Sequence, residues 1–142
     1  MELLSTQLAG LAGKRVLLVD DTIDAAELLG MVLERHGAIV AIAVDGAEGL
    51  RMAQESDYDL IISDIGMPIM DGYELMRQLR AIERYREIPT IAVTGYGRID
   101  DIARATAAGF TTHVTKPIDV KQLISVASTQ AGGSHRSPVS QS

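Results

Sequence analysis

Apolar and polar positions alternate along the chain in a regular rhythm. Val16-Leu17-Leu18-Val19 is a short apolar run that ends in Asp20-Asp21, and it reads as a strand buried on both faces. From Thr22 to His36 the apolar positions Ile23, Leu28, Leu29, Val32 and Leu33 follow a helical period that Gly37 stops. Ala38 to Val44 is a second β-rich run. A second helix follows over Gly46–Glu55, with Ala47, Leu50 and Ala53 on one face. Leu60-Ile61-Ile62 is a third strand running into Ser63-Asp64. After a loop over Ile65–Met70, Asp71 can cap a helix whose inward side carries Leu75, Met76, Leu79 and Ile82. Thr90–Val93, behind Pro89, is a fourth strand ending in Thr94, and Gly95-Tyr96-Gly97 is a loop. A weakly apolar helix spans Ile99–Ala108 and stops at Gly109. Thr112–Thr115 is a fifth strand ending in Lys116-Pro117, and the last helix runs from Asp119 to about Gln130, with Leu123, Ile124 and Ala127 inward.

Five strands alternating with five helices predict an α/β fold of the doubly wound, flavodoxin-like kind. Its parallel sheet has strand order 2-1-3-4-5, with helices on both faces. Residues 1–13 read as a leader or a short helix, from the helical spacing of Leu4, Leu8 and Leu11. Residues 14–130 form the domain, and residues 131–142 form a polar, Gly/Ser-rich tail expected to be disordered. Gly10–Arg15 faintly resembles a phosphate loop, but the spacing is wrong and it precedes a strand instead of following one.

Composition narrows the possibilities. Thirteen basic residues against nineteen acidic ones leave a formal charge of −6, so binding to nucleic acid is not expected. The absence of cysteine excludes a disulfide framework and thiolate metal sites, and fits a reducing, cytoplasmic location. No run of eighteen apolar residues is present, and Met1–Leu11 lacks the layout of a signal peptide, so no membrane association is expected. The three histidines, His36, His113 and His135, form no ligand cluster, and Met67, Met70 and Met76 read as core filling.

In a doubly wound sheet, ligands bind at the carboxyl ends of the strands. Here those ends carry Asp20 and Asp21, Asp64, Thr94 and Lys116. Taken singly, each has a plain reading: a helix cap, a loop acid, a strand-end hydroxyl and a solvated lysine. Taken together they converge on one edge. Three carboxylates in one cleft repel each other, and a hard divalent cation such as Mg²⁺ relieves that repulsion. Asp64 is then a candidate nucleophile for a phosphoryl group. Mg²⁺, Lys116, and the Thr94 hydroxyl with a backbone N–H can neutralise the three equatorial oxygens.

These pieces resemble the receiver domains of response regulators in two-component signalling, both the small chemotaxis type and those attached to hybrid kinases. The resemblance rests on Val19-Asp20-Asp21, on Ser63-Asp64-Ile65-Gly66-Met67-Pro68 followed by Met70-Asp71-Gly72, on Val93-Thr94-Gly95 and on Lys116-Pro117, and it covers roughly residues 14–130. It implies phosphorylation of Asp64 by a histidine kinase or a histidine phosphotransfer protein. Mg²⁺ would be held by Asp21, Asp64 and the Gly66 carbonyl, with Asp20 acting through water. The resemblance also implies a cis Lys116–Pro117 bond and a Thr94 that moves toward the phosphoryl group. Output would pass to a downstream protein through the face made by the fourth helix, fifth strand and fifth helix, from a monomer or a phosphorylation-dependent dimer. One departure stands out. Three residues before the lysine, where the family often has an aromatic switch residue, this chain has His113, and Tyr96 could take part of that role. Two other functions share some of these features: a Mg²⁺-dependent phosphohydrolase with an aspartyl nucleophile, and a receiver-like binding module independent of phosphorylation. The first usually places its nucleophile after strand one with a second Asp two residues on, where this chain has Thr22.

Overall fold

The computed structural model describes residues 10–95 and 99–132. Five strands, β1 (Arg15–Val19), β2 (Ile39–Ala43), β3 (Leu60–Asp64), β4 (Thr90–Thr94) and β5 (Thr112–Thr115), form one parallel sheet in the order β2-β1-β3-β4-β5. The helices are α1 (Ile23–Arg35), α2 (Gly46–Glu55), α3 (Gly72–Arg80), α4 (Ile99–Ala108) and α5 (Val120–Gly132), with a 3₁₀ turn at Glu83–Tyr85. The expected fold class and strand order are those observed.

Side chains alternate across each strand, so the sheet feeds two separate cores. Val16, Leu18, Leu60, Ile62, Ile91, Val93 and Val114 pack under α1 and α5. Leu17, Val19, Ile61 and Ala92 face α2, α3 and α4. Met67 and Met76 are buried in this second core and Met70 packs against it, as expected of gap-filling methionines. Among the described residues, three helices begin with side-chain caps: Asp45 accepts from the Glu48 N–H (2.7 Å), Asp71 from the Glu74 N–H (2.9 Å), and Asp119 from the Lys121 and Gln122 N–H groups (3.0 and 3.3 Å).

Several sequence expectations need correction. In α1 the buried stripe is Ala26, Leu29, Gly30 and Leu33, which follows i, i+3, i+4, i+7, while Ile23 and Leu28 are more than half exposed. In α2 the buried face is Gly46, Gly49 and Ala53, and Ala47 is exposed. The helix approaches the sheet through glycine: a Cβ on Gly49 would lie 3.0 Å from Val19 Cγ2, so the close contact replaces the larger apolar side chains that a helical pattern suggests. The expected end of the fold at Gln130 falls two residues short, since α5 continues through Gly132 with Ala131 buried in the core under α1 and α5. At the other end Leu11 is fully buried in the same core. Residues 1–9 of the expected leader and residues 133–142 of the expected tail lie outside the described residues.

Arg80 is the main polar tie of the fold. Its guanidinium, at the end of α3, donates to the carbonyls of Gly109, Tyr85 and Ile88 and to Thr90 Oγ1. Burial pushes its pKa below the ordinary range, partly offset by Glu87. The charge is satisfied by main-chain oxygens instead of a carboxylate, and it joins α3, the 3₁₀ turn, β4 and the α4–β5 turn. Replacing Arg80 with Met leaves those carbonyls without their donor, and a loss of about 2–4 kcal/mol is expected in urea unfolding.

Ile69, in the β3–α3 loop, shows the opposite balance. It sits at φ +70° with its side chain fully exposed. A β-branched residue in the left-handed region is strained. Ile69→Gly is therefore expected to raise stability by about 1 kcal/mol, the relief exceeding the entropy that glycine adds to the unfolded chain, and urea unfolding measures this directly.

Candidate functional site

The parallel register brings the strand ends level. Val19 aligns with Ser63, Asp64 with Val93, and Thr94 with Thr115, so the residues that end β1, β3, β4 and β5 meet at one edge. The ladder continues past the strands: Asp20 N–H donates to the Ala43 carbonyl (3.0 Å), Ile65 N–H to Val93 (3.2 Å) and Lys116 N–H to Thr94 (2.8 Å). These bonds fix the backbone of each functional position.

Asp20, Asp21 and Asp64 come together here, each with a carboxylate oxygen within 4.8 Å of the others'. Asp64 is 4% exposed, Asp20 is 6% exposed, and Asp21 opens to solvent. Lys116 Nζ donates to Asp64 Oδ2 at 3.0 Å while its side chain remains partly exposed. Thr22 N–H donates to Asp20 Oδ1 at 2.9 Å. The Asp20 pKa is nevertheless raised. Burial is the main cause and the Asp64 and Asp21 charges add to it, against the Thr22 hydrogen bond and Lys116, which oppose it. Lys116 and the Thr22 amide thus offset only part of the cost of burying this carboxylate beside two others. Three oxygen donors of this kind fit a hard divalent cation, with Asp20, Asp21 and Asp64 as the side chains that could hold it.

The loop after Asp64 folds tightly over β3. Gly72 N–H donates to the Ile65 carbonyl (2.8 Å), and a Cβ on Gly72 would lie 2.5 Å from the Asp64 carbonyl, so only glycine fits. The Lys116–Pro117 bond is cis, as expected. Thr94 is buried, and among the described residues its hydroxyl makes only a long hydrogen bond (3.4 Å) to the Val114 carbonyl. Gly66 and Thr94 line one open cavity of about 530 Å³, together with Gly95, Tyr73, Asp101 and Arg104. At Gly66 and Gly95 a Cβ would meet nothing within 4 Å, so this side of the site has room. His113 is half-buried on β5, aligned with Ala92 on the α4-facing side, and its ring has no hydrogen bond or ion pair among the described residues. Tyr96 lies outside the described residues.

Tyr73 and Arg104 were not singled out from the sequence. Tyr73 stands in the first turn of α3, immediately after the Asp71-Gly72 cap, and is 4% exposed. Its hydroxyl donates to the Asp101 carbonyl through a long bond (3.4 Å), and Arg104 lies over its ring, 4.3 Å from the centroid. Burial raises the phenol's pKa, with Asp101 adding and Arg104 opposing. The only hint in the sequence was an aromatic residue at the start of a helix in a chain with five aromatic residues.

An open parallel α/β sheet with an acidic cleft and a lysine at its carboxyl edge places the candidate site where doubly wound folds bind their ligands. The chain matches the response regulator receiver domain over residues 16–128, and it belongs to that family. It is 40% identical over 114 residues to a 14.6 kDa protein encoded beside sodA1 in Leptolyngbya boryana, covering 80% of this chain and 87% of that one. It is 34% identical over 110 residues to the DNA-binding dual master transcriptional regulator RpaA of Synechocystis, covering 78% of this chain and 46% of RpaA. The chain thus spans about half the length of the longer regulators it matches. Among solved structures, the chemotaxis protein CheY4 of Vibrio cholerae superposes with a TM-score of 0.80 at 31% identity, covering 84% of this chain and 99% of CheY4. The receiver domain of sensor histidine kinase PA1611 from Pseudomonas aeruginosa has magnesium coordinated in its active-site cleft. It superposes with a TM-score of 0.79 at 30% identity, covering 86% of this chain and all of that domain.

The raised pKa of Asp20 has a testable sign. With the folded value above the unfolded 3.8, ionised Asp20 destabilises the metal-free fold at neutral pH, and the penalty disappears as the pH falls below 3.8. Asp20→Asn is therefore expected to stabilise the metal-free protein at pH 7. The gain should shrink toward zero in melts recorded at successively lower pH.

Proposed function

We propose that this chain is a phosphoacceptor: Asp64 takes a phosphoryl group in a Mg²⁺-dependent reaction from a phosphohistidine on a histidine kinase or a histidine phosphotransfer protein. The observation that carries the reading is the Lys116 ammonium 3.0 Å from Asp64 Oδ2, beside carboxylate oxygens of Asp20, Asp21 and Asp64 lying within 4.8 Å of one another. One Asp64 oxygen attacks phosphorus, the bond from phosphorus to the donor nitrogen breaks, and the nitrogen keeps the electron pair. The product is an acyl phosphate on Asp64. Transfer of this kind needs positioning and charge neutralisation more than covalent help. Lys116 is placed to take one phosphoryl oxygen, and the loosely held Thr94 hydroxyl is free to turn toward another. Mg²⁺, held by Asp21, Asp64 and the Gly66 carbonyl, with Asp20 acting through water, would offset the charge gathered in the cleft. The magnesium in the cleft of the PA1611 receiver domain, and the 36% identity to probable histidine kinase 2 of rice over 130 residues, support this reading.

The reaction modifies the chain itself, once per site, and calls for no separate substrate pocket. No helix among the described residues is long and apolar enough to cross a membrane, and we place the protein in the cytoplasm with its phosphodonor. Output passes through contacts with another protein on the face formed by α4, β5 and α5. Among the described side chains of α4, only Ala105 and Ala108 are buried, so little apolar area holds this helix in place.

The test is direct. Incubation with Mg²⁺ and acetyl phosphate is expected to add one phosphoryl group to the intact mass. The gain should disappear with chelator and in Asp64→Asn, and fall at least about tenfold in Lys116→Ala. A Mg²⁺-dependent gain that persists in Asp64→Asn would place the acceptor elsewhere and end this reading.

A further inference from the structure

The site needs a route to the output face. The β5 position that lies beside Thr94 is Thr115, and His113, two residues earlier and level with Ala92, has a ring that makes no hydrogen bond or ion pair among the described residues. We infer that in this chain Tyr73 of α3 is the positioning residue that carries the state of Thr94 to α4, with Arg104 as its partner on that helix. The inference rests on the phosphoacceptor reading above.

Three observations support it. First, Thr94 and Tyr73 line the same cavity of about 530 Å³, and the glycines beside them, Gly66 and Gly95, leave its interior open. A Thr94 that turns toward a phosphoryl group on Asp64 changes the wall that Tyr73 shares. Second, Tyr73 holds α4 at two points one turn apart, through the Asp101 carbonyl and the Arg104 guanidinium over its ring. The buried anchors of α4 among the described residues are the small side chains of Ala105 and Ala108, which resist sliding weakly. Third, the two ends of α4 are held differently. Just past its last turn, the Gly109 carbonyl accepts two hydrogen bonds from Arg80, at 2.7 and 3.0 Å. Gly109 itself sits at φ +116°, with Arg80 Cγ 2.9 Å from where a Cβ would be. The carboxyl end is thus a fixed pivot, and the half of the helix nearer the site is fastened through a long hydrogen bond and a cation–π contact. Both are weak enough to exchange between two arrangements.

The experiment compares wild type with Tyr73→Leu, Tyr73→Phe, Arg104→Gln, Arg104→Lys and His113→Ala. Intact mass after acetyl phosphate and Mg²⁺ reports phosphorylation. Backbone amide shifts of residues 101–108, with and without Mg²⁺ and beryllofluoride as the phosphoryl mimic, report α4. Every variant is expected to take up the phosphoryl group. The α4 response should fall at least about threefold in Tyr73→Leu and Arg104→Gln and return in Arg104→Lys, whereas Tyr73→Phe should keep part of it and His113→Ala nearly all. A full α4 response in phosphorylated Arg104→Gln overturns the inference, as does its loss in His113→Ala alone. Because Arg104 is exposed, that variant carries the test even if Tyr73→Leu does not fold. Wild type that is phosphorylated without any movement of α4 amides also overturns the inference while leaving the phosphoacceptor reading standing. Wild type that gains no mass removes the reading and the inference together.

Discussion

Like charges forced into a small volume are the constraint around which this molecule is organised. Parallel pairing lines up the ends of β1 and β3, and both ends carry aspartate. Lys116 answers one of the three carboxylates and the Thr22 amide answers another, yet the pKa of Asp20 stays raised, chiefly by burial. An apolar or amide side chain at these positions would give a more stable fold. The strain is confined to the carboxyl edge, and the two cores beneath, one wholly aliphatic and the other joined by Tyr58, Tyr73, Tyr85 and Phe110, carry the stability that tolerates it.

Much of this was legible in the chain itself. Runs such as Val16–Val19 and Leu60–Ile62 are apolar throughout because a sheet covered on both faces has no solvent side, and the glycines at 37 and 109 stop helices where φ turns positive. Asp20, Asp21 and Asp64 could be grouped because topology fixes which strands are neighbours. Less legible were features that depend on close approach. Gly49 is read from sequence as a weak helix position, whereas in space it lets α2 settle onto Val19. Ile23 and Leu28 fit an apolar helical pattern, but the stripe that meets the sheet runs through Ala26, Leu29 and Leu33. Arg80 and Tyr73 gave almost no signal, because their partners are main-chain carbonyls and a helix brought near by the fold, and no spacing rule encodes those contacts.

Arg80 and Tyr73 sit at opposite ends of α3, and the difference between them is instructive. A cation bound to several main-chain oxygens at once has one good arrangement and resists change. A phenol reaching a carbonyl at 3.4 Å under an exposed guanidinium is held less firmly. One short helix therefore combines a rigid end, facing the α4–β5 turn, with a compliant end facing the acidic site. Signalling through a packed domain requires that pairing, because a lever works only against something that stays put.

At the far side of the molecule from the acids, Gly10 and Gly132 lie so close that a Cβ on Gly132 would stand 2.8 Å from Gly10 Cα. The two ends of the described fold therefore leave it at a single point. A unit of this shape behaves like a bead on a string: it can be threaded into a loop of a larger polypeptide without stretching the host or opening the bead, since the entropic cost of bringing its ends together is already met within its own fold. The same contact makes the junction a tight one, in which a bulkier side chain at Gly132 would part the first described residues from the last helix.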